Sequence, residues 1–307
     1  MTAKVTARSI EDRGGRRRGE LFVAAAAVAW SSAGVLQREL SVDTSTQVAG
    51  RAVFACLALA AFVAISSHGR PLAAFRSIGL AGLGVAVCTA VASGSFIVAL
   101  NHATVASVFF MQALAPVGAA LLAWFALREG ITRRALLSMT TALLGVALMV
   151  GAPGSGSALG LGAALVMALA FSAAIVITRH KRDVSMGPAV CLSQVLLVLV
   201  FAGFAEPSAV TQRDLGLLVL LGCGQIALGL ALFTAGARLI PASEAALISL
   251  LEVVLGPLWV WIALSEQPPL LTLVGGGVII LAVLLLATQS THSRELSRRL
   301  GTAPSSS

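Results

Sequence analysis

The hydrophobic positions of this chain come in long unbroken runs rather than in alternation. The runs are roughly 18–25 residues long, enough to cross about 30 Å of hydrocarbon as a helix rising 1.5 Å per residue. Polar or turn-forming stretches separate them: "RELSVDTSTQ", "GAPGSGS", "TRHKRD" and "EQPP". Breaking the chain at such stretches predicts ten helices, at 20–38, 46–66, 77–99, 103–127, 134–151, 157–178, 187–205, 214–236, 241–264 and 270–288. The expected fold class is therefore all-α integral membrane. Continuous runs argue against a transmembrane β-barrel, whose strands alternate apolar and polar positions.

Composition agrees. Hydrophobic residues make up 58% of the 307 positions and charged ones 11%, against about 25% charged in ordinary soluble domains. So few charges cannot coat a soluble surface. The net charge of +8 raises the question of nucleic acid, but the cations sit in tails and short connections, with no basic stripe interleaved with aromatics. Alternating the ten spans from a cytoplasmic N-terminus puts all but Arg38, Arg51 and Arg213 of the 21 basic residues on the cytoplasmic side. Both termini and the loop 179–183 are thus expected in the cytoplasm of a cell-membrane protein, and the loop 152–157 outside. "GRRRGELFVAAAAVAW" superficially fits a signal peptide, yet its apolar run continues and many more follow.

The chain also repeats itself. "LLAWFALRE" at 121–129 returns as "LWVWIALSE" at 258–266. With that offset Leu114 matches Leu251, Val117 matches Val254, Trp124 matches Trp261 and Glu129 matches Glu266. Five expected spans separate the copies, and an odd number inverts topology. A five-plus-five inverted repeat is an architecture of secondary transporters. The organisation read here is a basic cytoplasmic tail (1–19), a first repeat (20–151), a second repeat (157–288) and a disordered cytoplasmic tail (289–307).

"ATVASVFFMQALAPVGAALLAWFALREG" with "LLSMTTALLGVALMV", and "IPASEAALISLLEVVLGPLWVWIALSEQ" with "LVGGGVIILAVLLLA", resemble the two EamA repeats of the drug/metabolite transporter superfamily. The resemblance implies a ten-helix inner-membrane carrier, often an exporter of amino acids or other metabolites. It also implies a cavity lined mainly by spans 1, 3, 4, 6, 8 and 9. One departure stands out: the second repeat of the family usually reads Glu-Pro where this chain has Glu252-Val253, and proline follows at Pro257. The expected kink is displaced accordingly.

Several residues are candidates for transport chemistry. Glu252 lies near the middle of span nine, where a charge costs at least about 2.5–3.5 kcal/mol. It reads as a proton acceptor, as a partner for a cationic substrate, or as a protonated group bonded to a neighbouring helix. Trp30 and Ser31 lie mid-span in helix one, and Gln112 and Gln225 are mid-span amides; each reads equally as a solute contact or an interhelical bond. Pro116 and Pro257 are candidate hinges. Glu244 reads as a helix N-terminal charge, with gating of access as its other reading, and Arg51 as a residue snorkelling to headgroups, with pairing to an intramembrane acid as its other reading. Cys56, Cys88, Cys191 and Cys223 form no CxxC motif, and no metal or cofactor is expected. No phosphate-binding GxxxxGK[ST] loop is present.

The function expected is secondary transport of a small organic, amino-acid-like or drug-like solute, in the direction of efflux, with a proton as candidate coupling ion. The partners are that solute and the lipid bilayer. A passive channel or facilitator is the alternative, with an intramembrane enzyme behind it. Oligomeric state and substrate identity are not readable from these residues.

Overall fold

The computed structural model describes residues 2–32, 36, 39–67, 70–103, 105–150, 157–264 and 270–287. Glu266, Arg38, most of the loop 152–157 and the tail 289–307 lie outside the described residues. The described chain is helical, with no strand. Its helices are α1 (Thr2–Ser31), α2 (Thr44–Ser66), α3 (Pro71–Ser77), α4 (Gly79–His102), α5 (Val105–Gln112), α6 (Ala115–Leu127), α7 (Arg133–Val150), α8 (Ala158–His180), α9 (Gly187–Phe201), α10 (Gln212–Val219), a π-helix (Leu220–Ala227), α11 (Leu228–Ala237), α12 (Ala242–Ser249), α13 (Leu251–Leu264) and α14 (Leu270–Ala287).

Among the described residues, six stretches are long and apolar enough to cross a membrane: Thr44–Ser66, Gly79–Ala99, Val108–Leu127, Ala158–His180, Gly187–Phe204 and Gln212–Ala237. Leu270–Leu285 is a shorter apolar helix. Large side chains such as Leu57, Ile65, Leu80, Phe125, Leu199 and Ile262 point outward with most of their surface uncovered. Water would penalise that arrangement and hydrocarbon does not.

Helix ends follow local chemistry. Asp43 caps α2 by accepting from the Ser45 and Thr46 amides. Hydrogen bonding to Thr46 holds its carboxyl below the usual carboxylate range. Thr211 and Asp214 form a reciprocal capping box at the start of α10. Helix α1 already runs from Thr2, so the expected span start at 20 falls inside it. Arg16 pairs with Glu20 one turn on, which supports that basic stretch as helix.

Three expected spans are interrupted. The expected helix 103–127 is two helices, α5 and α6, parted at Ala113–Leu114. Pro116 is the second residue of α6 and has no N–H to bond the Gln112 carbonyl. The expected helix 241–264 parts at Leu250 into α12 and α13. Helix α13 runs through Pro257, so the interruption in the second repeat is not at that proline. Here the turn tightens instead: the Leu250 amide bonds Leu247 O and the Val253 amide bonds Leu250 O, each three residues back. The third interruption is the π-helix between α10 and α11. Helices α5 and α12 end at Gln112 and Ser249, and these positions correspond under the offset that aligns Leu114 with Leu251.

Packing relates the halves in the same way. Helix α4 packs on α8, and α1 packs on α11; α9 packs on α2, and α7 on α14. The main core joins α1, α6, α7, α8 and α11–α14 through Val23, Ile175, Leu247, Leu250 and Ile279. Approach is close between α7 and α14. A Cβ on Gly145 would lie 2.8 Å from the Gly275 carbonyl oxygen and 3.0 Å from the Ile279 nitrogen. Both are backbone atoms that cannot rotate away.

Gly145→Val should therefore lower stability by about 1–3 kcal/mol through overpacking. Gly162→Ala, at an exposed helical position with nothing near the new Cβ, should be neutral or stabilise by up to about 1 kcal/mol. Thermal unfolding in detergent compares the two; equal midpoints would contradict the close α7–α14 contact.

Candidate functional site

The two helix interruptions meet. Gln112, the last residue of α5, donates from Nε2 to Oε1 of Glu252 in the first turn of α13. Each residue stands where its helix loses regular backbone bonding, so each break brings a polar side chain into the bundle interior. The Gln112 Oε1 atom is buried without a partner among the described residues. Ser172 on α8 reaches the same region, donating to the Ala115 carbonyl at 3.0 Å and to Ala168 O at 2.7 Å. Ala115 corresponds to Glu252 under the repeat offset.

Two turns beyond Glu252 on α13, Trp259 donates from Nε1 to Ser31 Oγ at 2.8 Å. The Ser31 hydroxyl in turn donates to Val28 O. This pair ties the end of α1 to the helix carrying Glu252. The neighbouring Trp30 ring lies edge-on to Phe171, with centroids 6.2 Å apart, and 5.1 Å from Phe233. Phe171 and Phe233 stack at 5.3 Å. Gln225, on the π-helix and 7% exposed, directs Nε2 toward the Trp30 carbonyl at 3.5 Å; its Oε1 has no partner among the described residues. Gly229 lies beneath Trp30, and a Cβ there would come within 2.2 Å of the indole nitrogen.

The five residues singled out from sequence thus fall into one connected chain. Gln112 bonds Glu252, α13 carries the link to Trp259 and Ser31, and Ser31 adjoins Trp30, which meets Gln225. Sequence reasoning missed Trp259, Phe171 and Phe233. Trp259 has no counterpart in the first repeat, where Leu122 stands, so the repeat that exposed Trp261 concealed it. The two phenylalanines look like ordinary span residues in sequence; only packing shows that they flank Trp30.

A second polar cluster lies near the start of α12. Arg16 Nη2 donates to Glu244 Oε1 at 2.8 Å and Oε2 at 2.9 Å, and Arg16 Nε donates to Glu20. Arg179 donates to Glu129 Oε1 at 3.0 Å and to the Arg238 carbonyl at 2.9 Å. Glu244 is therefore an ion-pair partner rather than only a helix-start charge. A cavity of about 440 Å³ extends from Arg17, Glu20 and Glu244 past Ile248 to Leu251. A cavity of about 650 Å³ at Arg70–Ser77 includes none of these groups. Cys56 and Cys191, distant in sequence, bring their sulfurs within 4.0 Å between α2 and α9. Among the described residues no group of three or more His, Cys, Asp or Glu is placed to hold a metal.

Long apolar helices around an interior chain of polar side chains define a multi-pass membrane protein. The model of the EamA-like transporter family matches it twice, over residues 17–151 and 154–288. The chain belongs to that family of membrane transporters. No curated protein matches it. A solved structure titled only "Crystal structure of protein" is similar in fold, with a TM-score of 0.77 at 18% identity, over 94% of this chain and 100% of that one.

The Trp259–Ser31 bond should be measurable as a coupling. In a double-mutant cycle of Trp259→Phe and Ser31→Ala, the interaction energy should be about 0.5–1.5 kcal/mol, read from unfolding in detergent. Strict additivity would show that the two side chains do not bond.

Proposed function

We propose that this transporter is a secondary carrier that exports a small organic solute by alternating access, with Glu252 as its charged working group. The observation that carries the reading is the Gln112–Glu252 bond between the two helix interruptions. A carboxyl held in the bundle interior at a break in the backbone can bind and release a proton or a cationic group as neighbouring helices move. The ten-span, five-plus-five inverted arrangement, with both tails cytoplasmic, belongs to this proposal. The matching breaks, the repeat offset and the placement of basic residues support it. The domain divisions at 20–151 and 157–288 belong to the proposal as well.

The two ends of the bundle differ. Helix α12 packs along α6, while the offset-equivalent pair, α5 and α13, has no comparable packing among the described residues. The ion pairs Arg16–Glu244 and Arg179–Glu129 stand at the α12 end. This asymmetry supports a conformation closed at the cytoplasmic end, with the ion pairs as a latch. Trp30, Ser31, Gln112 and Gln225 are assigned to the solute path, and the interruption before Pro116 to a hinge. A passive facilitator is the second reading, favoured only if transport ignores every ion gradient.

Glu252→Gln tests the central claim. The variant should insert and fold, because glutamine keeps the size and hydrogen bonding, yet lose about tenfold or more of transport into proteoliposomes. Proton coupling predicts loss of pH-driven transport for every solute, and solute pairing predicts selective loss of cationic ones. Wild-type rates at all pH values and for all solutes would remove Glu252 from the mechanism.

The latch has its own test. In a background lacking Cys56, Cys88, Cys191 and Cys223, Ile248→Cys should label slowly, since Ile248 is 6% exposed beside the cavity. Adding Arg16→Gln should speed its labelling several-fold, and only for a reagent applied to the cytoplasmic side. Unchanged labelling, or acceleration from outside alone, would contradict the latch and its orientation.

A further inference from the structure

Arg51 stands in the second turn of α2 and is 6% exposed. A residue snorkelling to headgroups keeps its charged tip outside the protein; this one is enclosed by protein, so that sequence-based reading does not hold. Its guanidinium has no hydrogen-bond or ion-pair partner among the described residues. The acids around it are committed elsewhere. Asp214 receives the Ser41 amide and hydroxyl and the Thr211 hydroxyl. Glu39 pairs with Arg213, Asp43 caps α2, and Glu206 is exposed. Helices α2 and α9 and the π-helix contain no acidic residue at all.

A guanidinium so nearly covered by protein and without a partner is costly to keep. A stable fold does not need that penalty, since a leucine at 51 would avoid it. The surroundings of Arg51 are also unlike a plain packed core. On one side is α9, antiparallel to α2: Leu197 packs with Val48 and Ala52, while Val190 and Cys191 pack with Ala55 and Leu59. That register puts Gln194, a buried amide, at the level of Arg51. On the other side is the π-helix, where Gly222 contributes no side chain against the Arg51 carbonyl and Phe54. The π-helix then carries Gln225, and the following α11 carries Gly229, to Trp30, so the surroundings of Arg51 adjoin the polar chain described above.

We propose that Arg51 is an anion-binding residue, and that the anion is the carboxylate of a small organic solute. One guanidinium neutralises one negative charge, and its planar fork matches a carboxylate with two parallel bonds. A phosphate dianion would leave a charge over, and Arg213 is already paired with Glu39. The proposal deepens the carrier reading by naming a group the solute carries. It does not depend on transport for its test.

The test is thermal unfolding of the full chain in uncharged detergent, titrated with sodium acetate, sodium benzoate and glycine. Sodium chloride at matched ionic strength, acetamide and benzamide serve as controls. At least one carboxylate should raise the wild-type midpoint by about 2–4 °C near saturation, with the amides inert. Arg51→Gln should abolish the rise, and Arg51→Lys, which keeps the charge without the fork, should retain part of it. Without ligand, Arg51→Gln and Arg51→Met should unfold at or above the wild-type midpoint, because each removes an uncompensated buried cation. Three results would overturn the proposal: no carboxylate stabilises wild type beyond chloride, Arg51→Gln responds as wild type does, or phosphatidylglycerol micelles alone give the shift. The last would assign the anion to a lipid headgroup. A negative result leaves the Glu252 experiment untouched, and failure of the Glu252 experiment leaves this one readable.

Discussion

Inside a bilayer a polar group cannot fall back on water, so wherever a helix is interrupted something nearby must take over its bonding. In this protein two such interruptions also bring polar side chains inside, and the bond between Gln112 and Glu252 satisfies those. Two helices lose their regular ladder at equivalent points of the repeat, and each break presents a polar side chain to the other. Ser172 supports one break from α8. The tight three-residue bonds around Leu250 support the other. The Trp259–Ser31 link then carries the same polar chain across to α1. Remove either member of the central pair, and the other loses its bond inside the bundle.

Much of this was legible beforehand, for physical reasons. Apolar run length reveals a membrane protein, because hydrocarbon thickness imposes it. Glu252 and Gln112 stand out because ionisable and amide groups are costly in the middle of a span. The location of the second interruption was not legible. Proline is the usual sign of a broken helix, and it pointed to Pro257, whereas the chain breaks at Leu250 with no residue that forces it. The break there depends on the tertiary setting of α12 against α6 and α8. Arg51 was misjudged for a related reason. Its distance from a helix end could be counted, but whether its flank faces lipid or protein is decided by α9 and the π-helix, whose arrangement no local pattern encodes.

Charge placement gives the two ends of the bundle different characters. Arg16, Glu20, Glu244, Arg179 and Glu129 form paired groups on several helices at one end, each pair joining segments far apart in sequence. Such pairs contribute modestly where solvent reaches them. Their value lies in being separable: a contact that can be exchanged for water at small cost suits an end that opens in the proposed alternating-access cycle. The α7–α14 seam is the opposite kind of contact. Backbone meets backbone at Gly145.

The π-helix has a bearing on how this gene can change. A π segment is what one extra residue leaves behind when it is accommodated within an α-helix. Deleting a single codon within Leu220–Ala227 would restore ordinary α geometry with almost no loss of backbone bonds. Everything C-terminal to the deletion would keep its facing, because wide π turns rotate less per residue than α turns and so already absorb the extra residue. Gly229 would still lie beneath Trp30, and Gly236 against the Gly19 carbonyl that a Cβ would approach to 2.7 Å. What the loss would change is the π segment itself, Gln225 included. The length of this stretch thus bears on the polar side chain it presents rather than on the packing beyond it.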